Sequence, residues 1–181
     1  MAKVARNIVV DVESDGQCPG KFSMVSFGAV VLEDFTQTFY GQMRPISHEW
    51  QPDALAVSGH SREQIETFDD PAQIMLEFDN WLKGLGADSI YFWSDNNGFD
   101  WQFINYYFWV YRGYNPFGWS SRNINDLYKG LNGDMYASFK HLRKTKHTHN
   151  PLDDAMGNAE ALREIQQRYD IRISRSEDWK G

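Results

Sequence analysis

Apolar residues recur at every second position near the start of the chain, where Asn7 to Glu13 reads Asn-Ile-Val-Val-Asp-Val-Glu. A period of two predicts a β-strand. Both faces of this strand are largely apolar, which indicates a central strand covered on both sides. The same period places the two acids, Asp11 and Glu13, on one face.

The segments that follow predict a sheet flanked by helices. Met24 to Leu32 and Thr36 to Met43 again have the period of a strand, and the turn at Glu33-Asp34 predicts an antiparallel hairpin. Residues 46 to 68 predict loops with short helical pieces. Ile90 to Trp93 predicts a short buried strand. The element order favours an α/β (α+β) fold with a central mixed five-stranded sheet.

Helical spacing marks three later segments. Asp70-Pro71 and Asn150-Pro151 each give an N-cap followed by proline at the first helical position, so a helix is predicted after each pair. Between them, a helix with Phe99, Phe103, Tyr107 and Val110 on its apolar face is predicted. Arg122 to Leu127 is compatible with the end of a strand or the start of a helix. Near the C-terminus, Ile171 and Ile173 alternate like a short strand.

Length and composition limit the class of protein that the chain can be. The chain has 181 residues, of which 41% are apolar and 24% charged, as expected for one globular domain over residues 1–181. The single cysteine, Cys18, excludes an internal disulfide and fits a reducing compartment. The polar start of the chain lacks the pattern of a signal peptide, and the longest aromatic run, Tyr106 to Tyr111, is too short to span a bilayer. We therefore expect a cytoplasmic protein without a membrane partner.

The net charge of −7 at first argues against a nucleic-acid partner. However, Asp11, Glu13, Asp100 and Asp154 are candidate metal ligands, as argued below, and two divalent cations would offset four of the negative charges. The dense basic stretch, Lys140 to His147, lies immediately before His149, a candidate catalytic residue. Local positive charge of this kind is sufficient to hold a short substrate at a metal site.

Three distant clusters together supply four carboxylates and one histidine. They are Asp11-Val12-Glu13, Asn96-Asn97-Gly98-Phe99-Asp100 and His149-Asn150-Pro151-Leu152-Asp153-Asp154. Mg²⁺ and Mn²⁺ take oxygen ligands, and two such ions can clamp the attacking and leaving oxygens of a phosphodiester displacement. Histidine is the side chain best suited to accept a proton from water near neutral pH.

Each cluster also has a structural explanation. An acid pair such as Asp11 and Glu13 is common on a solvated strand edge, although burying both on a central strand would be costly without a cation. Asp100 fits the N-terminal dipole of a helix. Asp153 is predicted to bond back to the helix cap rather than to a ligand. His147 competes with His149 as the general base.

Taken together, the clusters resemble the three motifs of the DEDDh 3′–5′ exonucleases, which have an RNase H-like fold. Asp11-x-Glu13 resembles the first motif, Asn-x-x-Phe-Asp at residues 96–100 the second, and His149-x4-Asp154 the third. The resemblance spans roughly residues 7–168 and is closest to the RNase T-like exoribonuclease branch. Two departures stand out: many relatives carry histidine where Asp95 stands, and Ser14-Asp15-Gly16 replaces the common Thr-Thr-Gly.

The resemblance implies two Mg²⁺ or Mn²⁺ ions held by four acids, namely Asp11, Glu13, Asp100 and Asp154. Asp11 would bridge the ions, with Glu13 and Asp154 completing one site and Asp100 the other. His149 would act as the general base, with Glu13 also reading the terminal nucleotide. The implied reaction releases nucleoside 5′-monophosphates from the 3′ ends of single-stranded RNA, and relatives suggest a homodimer.

Several residues are candidate substrate contacts. Ser14 and Asn96 lie in or beside the motifs. Lys144, Lys146 and Arg143 are candidate phosphate contacts, although an exposed basic helix end explains these three equally well. Trp50, Trp101 and Trp119 are candidates for base stacking, although core packing is the better explanation for each. Single-stranded DNA is the alternative substrate, and a non-catalytic nucleic-acid-binding module is the alternative from another class.

Overall fold

The computed structural model describes residues 4–173, which contain one five-stranded mixed sheet. The strand order is β3-β2-β1-β4-β5. The β1 strand pairs antiparallel with β2 and parallel with β4, while β2–β3 is antiparallel and β4–β5 is parallel. The strands are β1 Ala5–Ser14, β2 Met24–Val31, β3 Asp34–Gln42, β4 Ser89–Ser94 and β5 Ser121–Asn123.

Helices connect β3 to β4 and β4 to β5, and helices cover both faces of the sheet. Those that the structure describes are α1 Pro52–Val57, α2 Arg62–Ile65, α3 Pro71–Gly84, α4 Asn97–Arg112, α5 Ile124–Asn132 and α6 Pro151–Tyr169, with a 3₁₀ turn at Lys140–Leu142. The N-caps at Asp70 and Asn150 both accept hydrogen bonds from the first helical turn, as their sequence predicts. Across residues 4–173, every helix is too short or too polar to cross a bilayer.

The alternation in β1 divides the interior into two apolar layers. Ile8, Val10 and Val12 face the layer that contains α3 and α4. Val9 faces the opposite layer, which α5 and α6 cover. Because side chains alternate along a strand, Asp11 and Glu13 project from the same face as Val9, toward α6.

The predicted fold class is confirmed, with three local differences. The hairpin turn lies at Leu32-Glu33, one residue earlier than predicted, and β3 begins at Asp34 instead of Thr36. Val110 is 51% exposed, because the buried face of α4 continues through Tyr107 and Phe108 instead. The predicted strand at Ile171 and Ile173 is wrong, since both lie outside any strand. Residues 174–181 of that terminal segment lie outside the described residues.

Candidate active site

Four acids from three elements converge at the C-terminal end of β1. Asp11 and Glu13 lie on β1 itself. Asp100 lies in the first turn of α4, directly after β4, and Asp154 lies in the first turn of α6. Parallel strands β1 and β4 end at the same edge of the sheet, which is why residues nearly 90 positions apart meet there.

A glycine allows α6 to approach this edge closely. Gly28 on β2 pairs with Asp11 in the sheet, and a Cβ at Gly28 would lie 2.4 Å from both the Leu152 Cα and the Pro151 carbonyl oxygen. These neighbours are backbone atoms, which cannot rotate away. The start of α6 therefore sits directly on the sheet beside Asp11, and this packing brings Asp154 into the cluster.

The carboxylates are arranged as oxygen ligands for divalent cations. Asp11, Glu13 and Asp154 each offer an oxygen, and these atoms all lie within 4.8 Å of one another. Asp100 accepts a hydrogen bond from the Val12 backbone N–H at 3.0 Å through Oδ1. Its Oδ2 is buried and has no hydrogen-bond partner among the described residues. A buried, unpartnered carboxylate oxygen is costly unless a cation or proton satisfies it, so the donor set fits divalent metal binding.

Electrostatics supports the same interpretation. Burial, followed by the Asp100 charge, raises the pKa of Asp11 well above its ordinary value. Burial, followed by the Asp95 charge, raises the pKa of Asp100 in the same direction. Burial and the Asp154 charge raise the pKa of Glu13 to about 7. The acids therefore disfavour their own ionised forms until positive charge is added.

The loop before α6 holds both candidate histidines. His149 has a left-handed backbone with φ of 61°, and its Nδ1 lies 3.9 Å from Glu13 Oε1. The Asp154 carboxylate accepts the backbone N–H groups of Thr148 and His149, each at 3.1 Å. Asp153 accepts from the Thr148 hydroxyl at 2.9 Å, so its role is structural as predicted, although its partner is Thr148 rather than the cap residue.

His147, the competing histidine, lies in the same cluster. Its Nδ1 is 2.8 Å from Asp154 Oδ2, and its ring centroid is 4.3 Å from that of His149. The sequence named both histidines but could not establish that their rings are in contact. His147 lines the same pocket as Asp11 and Asp100, whereas His149 is the histidine beside Glu13, so proximity does not identify the general base.

The substrate-contact candidates divide into two groups. Ser14 and Asn96 line a pocket of about 300 Å³ together with Asp11, Glu13 and Asp100. Asn96 occupies the N-cap position of α4 without capping it, which leaves its side-chain amide available. Lys144 and Lys146 are exposed on the loop leading to His147, and neither lines this pocket within the described part of the chain.

Arg143 is not available as a phosphate contact. Its side chain is only 7% exposed, and its guanidinium donates to Asp95 Oδ2 at 2.9 Å and to Asn158 Oδ1 at 2.5 Å. Asp95 stands where many relatives carry histidine, and Asn158 lies one turn beyond Asp154 on α6. The two hydrogen bonds of Arg143 therefore join the turn before α4 to the loop and the helix that carry the third motif.

The pocket has an apolar side that the sequence did not reveal. Ala54 and Val57 of α1 and Phe99 of α4 line it together with the acids. The sequence predicted only loops and short helical pieces for residues 46–68 and named no site residue there except Trp50. In the sequence, Ala54 and Val57 form an apolar pair at positions i and i+3, but such pairs are too common to indicate the side of a pocket.

The tryptophans lie away from the pocket. Trp101 packs edge-on against Phe92 with ring centroids 5.1 Å apart, which confirms the packing interpretation for that residue. Trp50 and Trp119 are exposed, so core packing was the wrong explanation for both. None of the three lines the pocket among the residues that the structure describes.

Comparison with solved structures identifies the fold. The nuclease domain of 3′hExo, a DEDDh family member bound to rAMP, matches with a TM-score of 0.72 at 20% identity over 96% of this chain and 98% of that chain. Escherichia coli exonuclease I in complex with a dA16 oligonucleotide matches with a TM-score of 0.70 at 16% identity over 91% of this chain and 41% of that chain. At these identities the likeness shows the fold, which is that of DEDDh exonucleases.

Sequence comparison gives the family. Residues 6–166 match the 3′–5′ exoribonuclease Rv2179c-like domain. The 3′–5′ DNA exonuclease Cap18 of Escherichia coli is 36% identical over 171 residues, which cover 93% of this chain and 89% of that protein. The chain therefore belongs to the Rv2179c-like 3′–5′ exoribonuclease domain family. It is a 3′–5′ exonuclease of the DEDDh type, as the sequence resemblance implied, and not a non-catalytic binding module.

Proposed function

We propose that this enzyme removes nucleoside 5′-monophosphates one at a time from the 3′ ends of single-stranded RNA. The observation that carries the proposal is the convergence of four acids with an unpartnered Asp100 oxygen and an adjacent histidine, beside a pocket of about 300 Å³. A pocket of this size accepts roughly one nucleotide, which favours attack at a chain end over attack within a strand.

Asp11, Glu13, Asp100 and Asp154 would hold two Mg²⁺ or Mn²⁺ ions. When bound, two divalent cations supply the charge that favours water ionisation and stabilises the displacement at phosphorus. His149 accepts the proton from the attacking water. Glu13, whose Oε1 lies 3.9 Å from His149 Nδ1, also contacts the terminal nucleotide.

The remaining candidates position the substrate. Ser14 and Asn96 line the pocket and offer hydrogen-bonding groups to the terminal nucleotide. Val57 and Phe99 form an apolar side against which its base can pack. Lys144 and Lys146 contact backbone phosphates upstream of the scissile bond, since both extend from the loop beside the pocket.

Single-stranded DNA is the second candidate substrate, because the relative Cap18 is named a DNA exonuclease. The Rv2179c-like family description favours RNA. The 2′-hydroxyl is the feature by which a site can locally distinguish the two. We also propose that the chain is one exonuclease domain that acts in the cytoplasm. The resemblance implies that it forms a homodimer, which light scattering would test.

The test uses 5′-labelled RNA and DNA oligomers of the same sequence, each ending in a 3′-hydroxyl or a 3′-phosphate, with Mg²⁺ or Mn²⁺. Stepwise shortening with mononucleotide products is expected from 3′-hydroxyl ends. The 3′-phosphate should block digestion, since it adds negative charge beside the acids.

The matched control is Asp11→Asn, which removes one charge without changing side-chain shape and should be inactive. Internal fragments from a 3′-blocked strand would reveal an endonuclease and contradict the proposal. Faster digestion of DNA than of RNA would establish the second candidate instead.

A further inference from the structure

Two groups of candidate metal ligands with different chemistry share one carboxylate in this site. The first consists of Asp11, Glu13 and Asp154 and offers only oxygen. The second consists of His147, His149 and Asp154, whose ligand atoms also lie within 4.8 Å of one another. His147 is not used by the proposed reaction, so its presence in the second group needs a separate account.

The donor atoms of the second group select a different kind of ion. Mg²⁺ prefers oxygen ligands throughout, whereas two imidazoles with a carboxylate are a common ligand set for Zn²⁺. Zn²⁺ also binds nitrogen-containing sites more tightly than Mn²⁺ does. His147 and His149 are 48% and 50% exposed, so their rings are accessible to an ion and free to adjust.

The group is partly preorganised. Asp154 is 1% exposed and is held by the backbone N–H groups of Thr148 and His149. His147 Nδ1 already lies 2.8 Å from Asp154 Oδ2, close to the spacing of about 3.3 Å that two ligands of a tetrahedral zinc ion require at Zn–N and Zn–O distances of about 2.0 Å. The ligand atom of His149 lies within 4.8 Å of both.

We infer that His147, His149 and Asp154 form an inhibitory Zn²⁺ site. A zinc ion held there engages the general base and withdraws Asp154 from the oxygen-only group, so it excludes the catalytic arrangement. The inhibitory consequence rests on the proposed function, whereas the zinc site itself rests only on the geometry of the three side chains.

Binding is tested on the untagged full-length protein, with Zn²⁺ titrated against a zinc-responsive dye in excess Mg²⁺. His147→Asn should weaken zinc binding by at least about tenfold, because it removes one of three protein ligands. His141→Asn is the matched control: His141 is exposed nearby but bonds to the Ser138 carbonyl, outside the group, and its substitution should leave zinc affinity unchanged. Equal zinc affinity of the wild type and His147→Asn would overturn the site.

Inhibition is measured separately as the zinc concentration that halves each variant's own Mg²⁺-supported rate. That concentration should rise by the same factor in His147→Asn and stay constant in His141→Asn. If the protein binds zinc through His147 but has no nuclease activity, the proposed function and the inhibition are overturned, while the zinc site stands. An active enzyme whose zinc inhibition is unaffected by His147→Asn would overturn the inference and leave the proposed function intact.

Discussion

Burial and the charge of Asp154 raise the pKa of Glu13 to about 7, while Asp11 and Asp100 are shifted in the same direction. A carboxyl group whose pKa is raised by folding stabilises the fold when protonated and loses that contribution as pH rises through the raised pKa. For Glu13 the loss occurs between its ordinary value of 4.5 and about 7. Above that window the ionised acids repel one another unless cations bind.

We therefore expect Mn²⁺ to raise the melting temperature, and by more at about pH 8 than at about pH 6, because proton release no longer opposes metal binding at the higher pH. Thermal unfolding with and without saturating Mn²⁺ measures this difference. Asp11→Asn serves as the control and should abolish the increase. An increase of the same size at both pH values would contradict the electrostatic argument.

The two histidines should differ in their effect on turnover. His149→Asn is preferred to alanine because asparagine tolerates the left-handed φ of 61° at this position. It should lower kcat by about 10²- to 10⁴-fold, the usual contribution of a general base, while the Mn²⁺-induced stabilisation persists. His147→Asn should cost far less. A larger loss at His147 than at His149 would identify His147 as the base.

At this scale the sequence predicted the types of residue better than their contacts. The motif spacing identified four acids that the structure does bring together. It could not show that Arg143 is buried against Asp95 and Asn158, because the three lie on separate segments whose packing depends on the whole fold. For the same reason, the contact between His147 and Asp154 was not predicted.

At the scale of secondary-structure elements, the position of α6 depends on one close approach to the sheet. Gly28→Ala would place a methyl group against the backbone of residues 151 and 152, and overpacking of this kind costs about 1–3 kcal/mol. We expect lower stability in urea unfolding. We also expect a fall in kcat, because Asp154 and His149 move with the start of the helix.

The matched control is Gly84→Ala at the end of α3, where an added Cβ meets nothing within 4 Å. Alanine is the better helix former by about 0.5–1 kcal/mol, so this variant should unfold at equal or higher urea concentration and keep its activity. If Gly28→Ala behaved in the same way, α6 would not depend on the close contact for its position.

Elements with strong local signals were predicted, and elements that depend on distant contacts were not. The caps at Asp70 and Asn150 and the alternation in β1 are local patterns, and the structure has the expected helices and strand. Val110 fits the helical period yet is exposed, because the buried face of α4 continues through Tyr107 and Phe108 and leaves Val110 on the solvent side. Ser121–Asn123 forms a strand only because β4 lies beside it.

At the scale of the whole molecule, a chain of net charge −7 must bind a polyanion. Long-range repulsion of this kind slows association and is screened by salt, whereas a few cations near the site act on the bound strand directly. Lys144 and Lys146 are exposed beside the pocket, and no hydrogen bond or ion pair engages either ammonium group within residues 4–173. Both can therefore contact phosphates without first breaking another contact.

Replacing both lysines by glutamine should raise KM for a single-stranded oligomer by about tenfold, with kcat nearly unchanged, since these groups bind the strand equally before and during hydrolysis. The control with the same change in net charge is Lys129→Gln combined with Arg168→Gln, which removes two cations outside the basic stretch Lys140 to His147. Steady-state kinetics at two salt concentrations compares them. If both double variants raise KM equally, overall charge and not the loop beside the active site governs substrate binding.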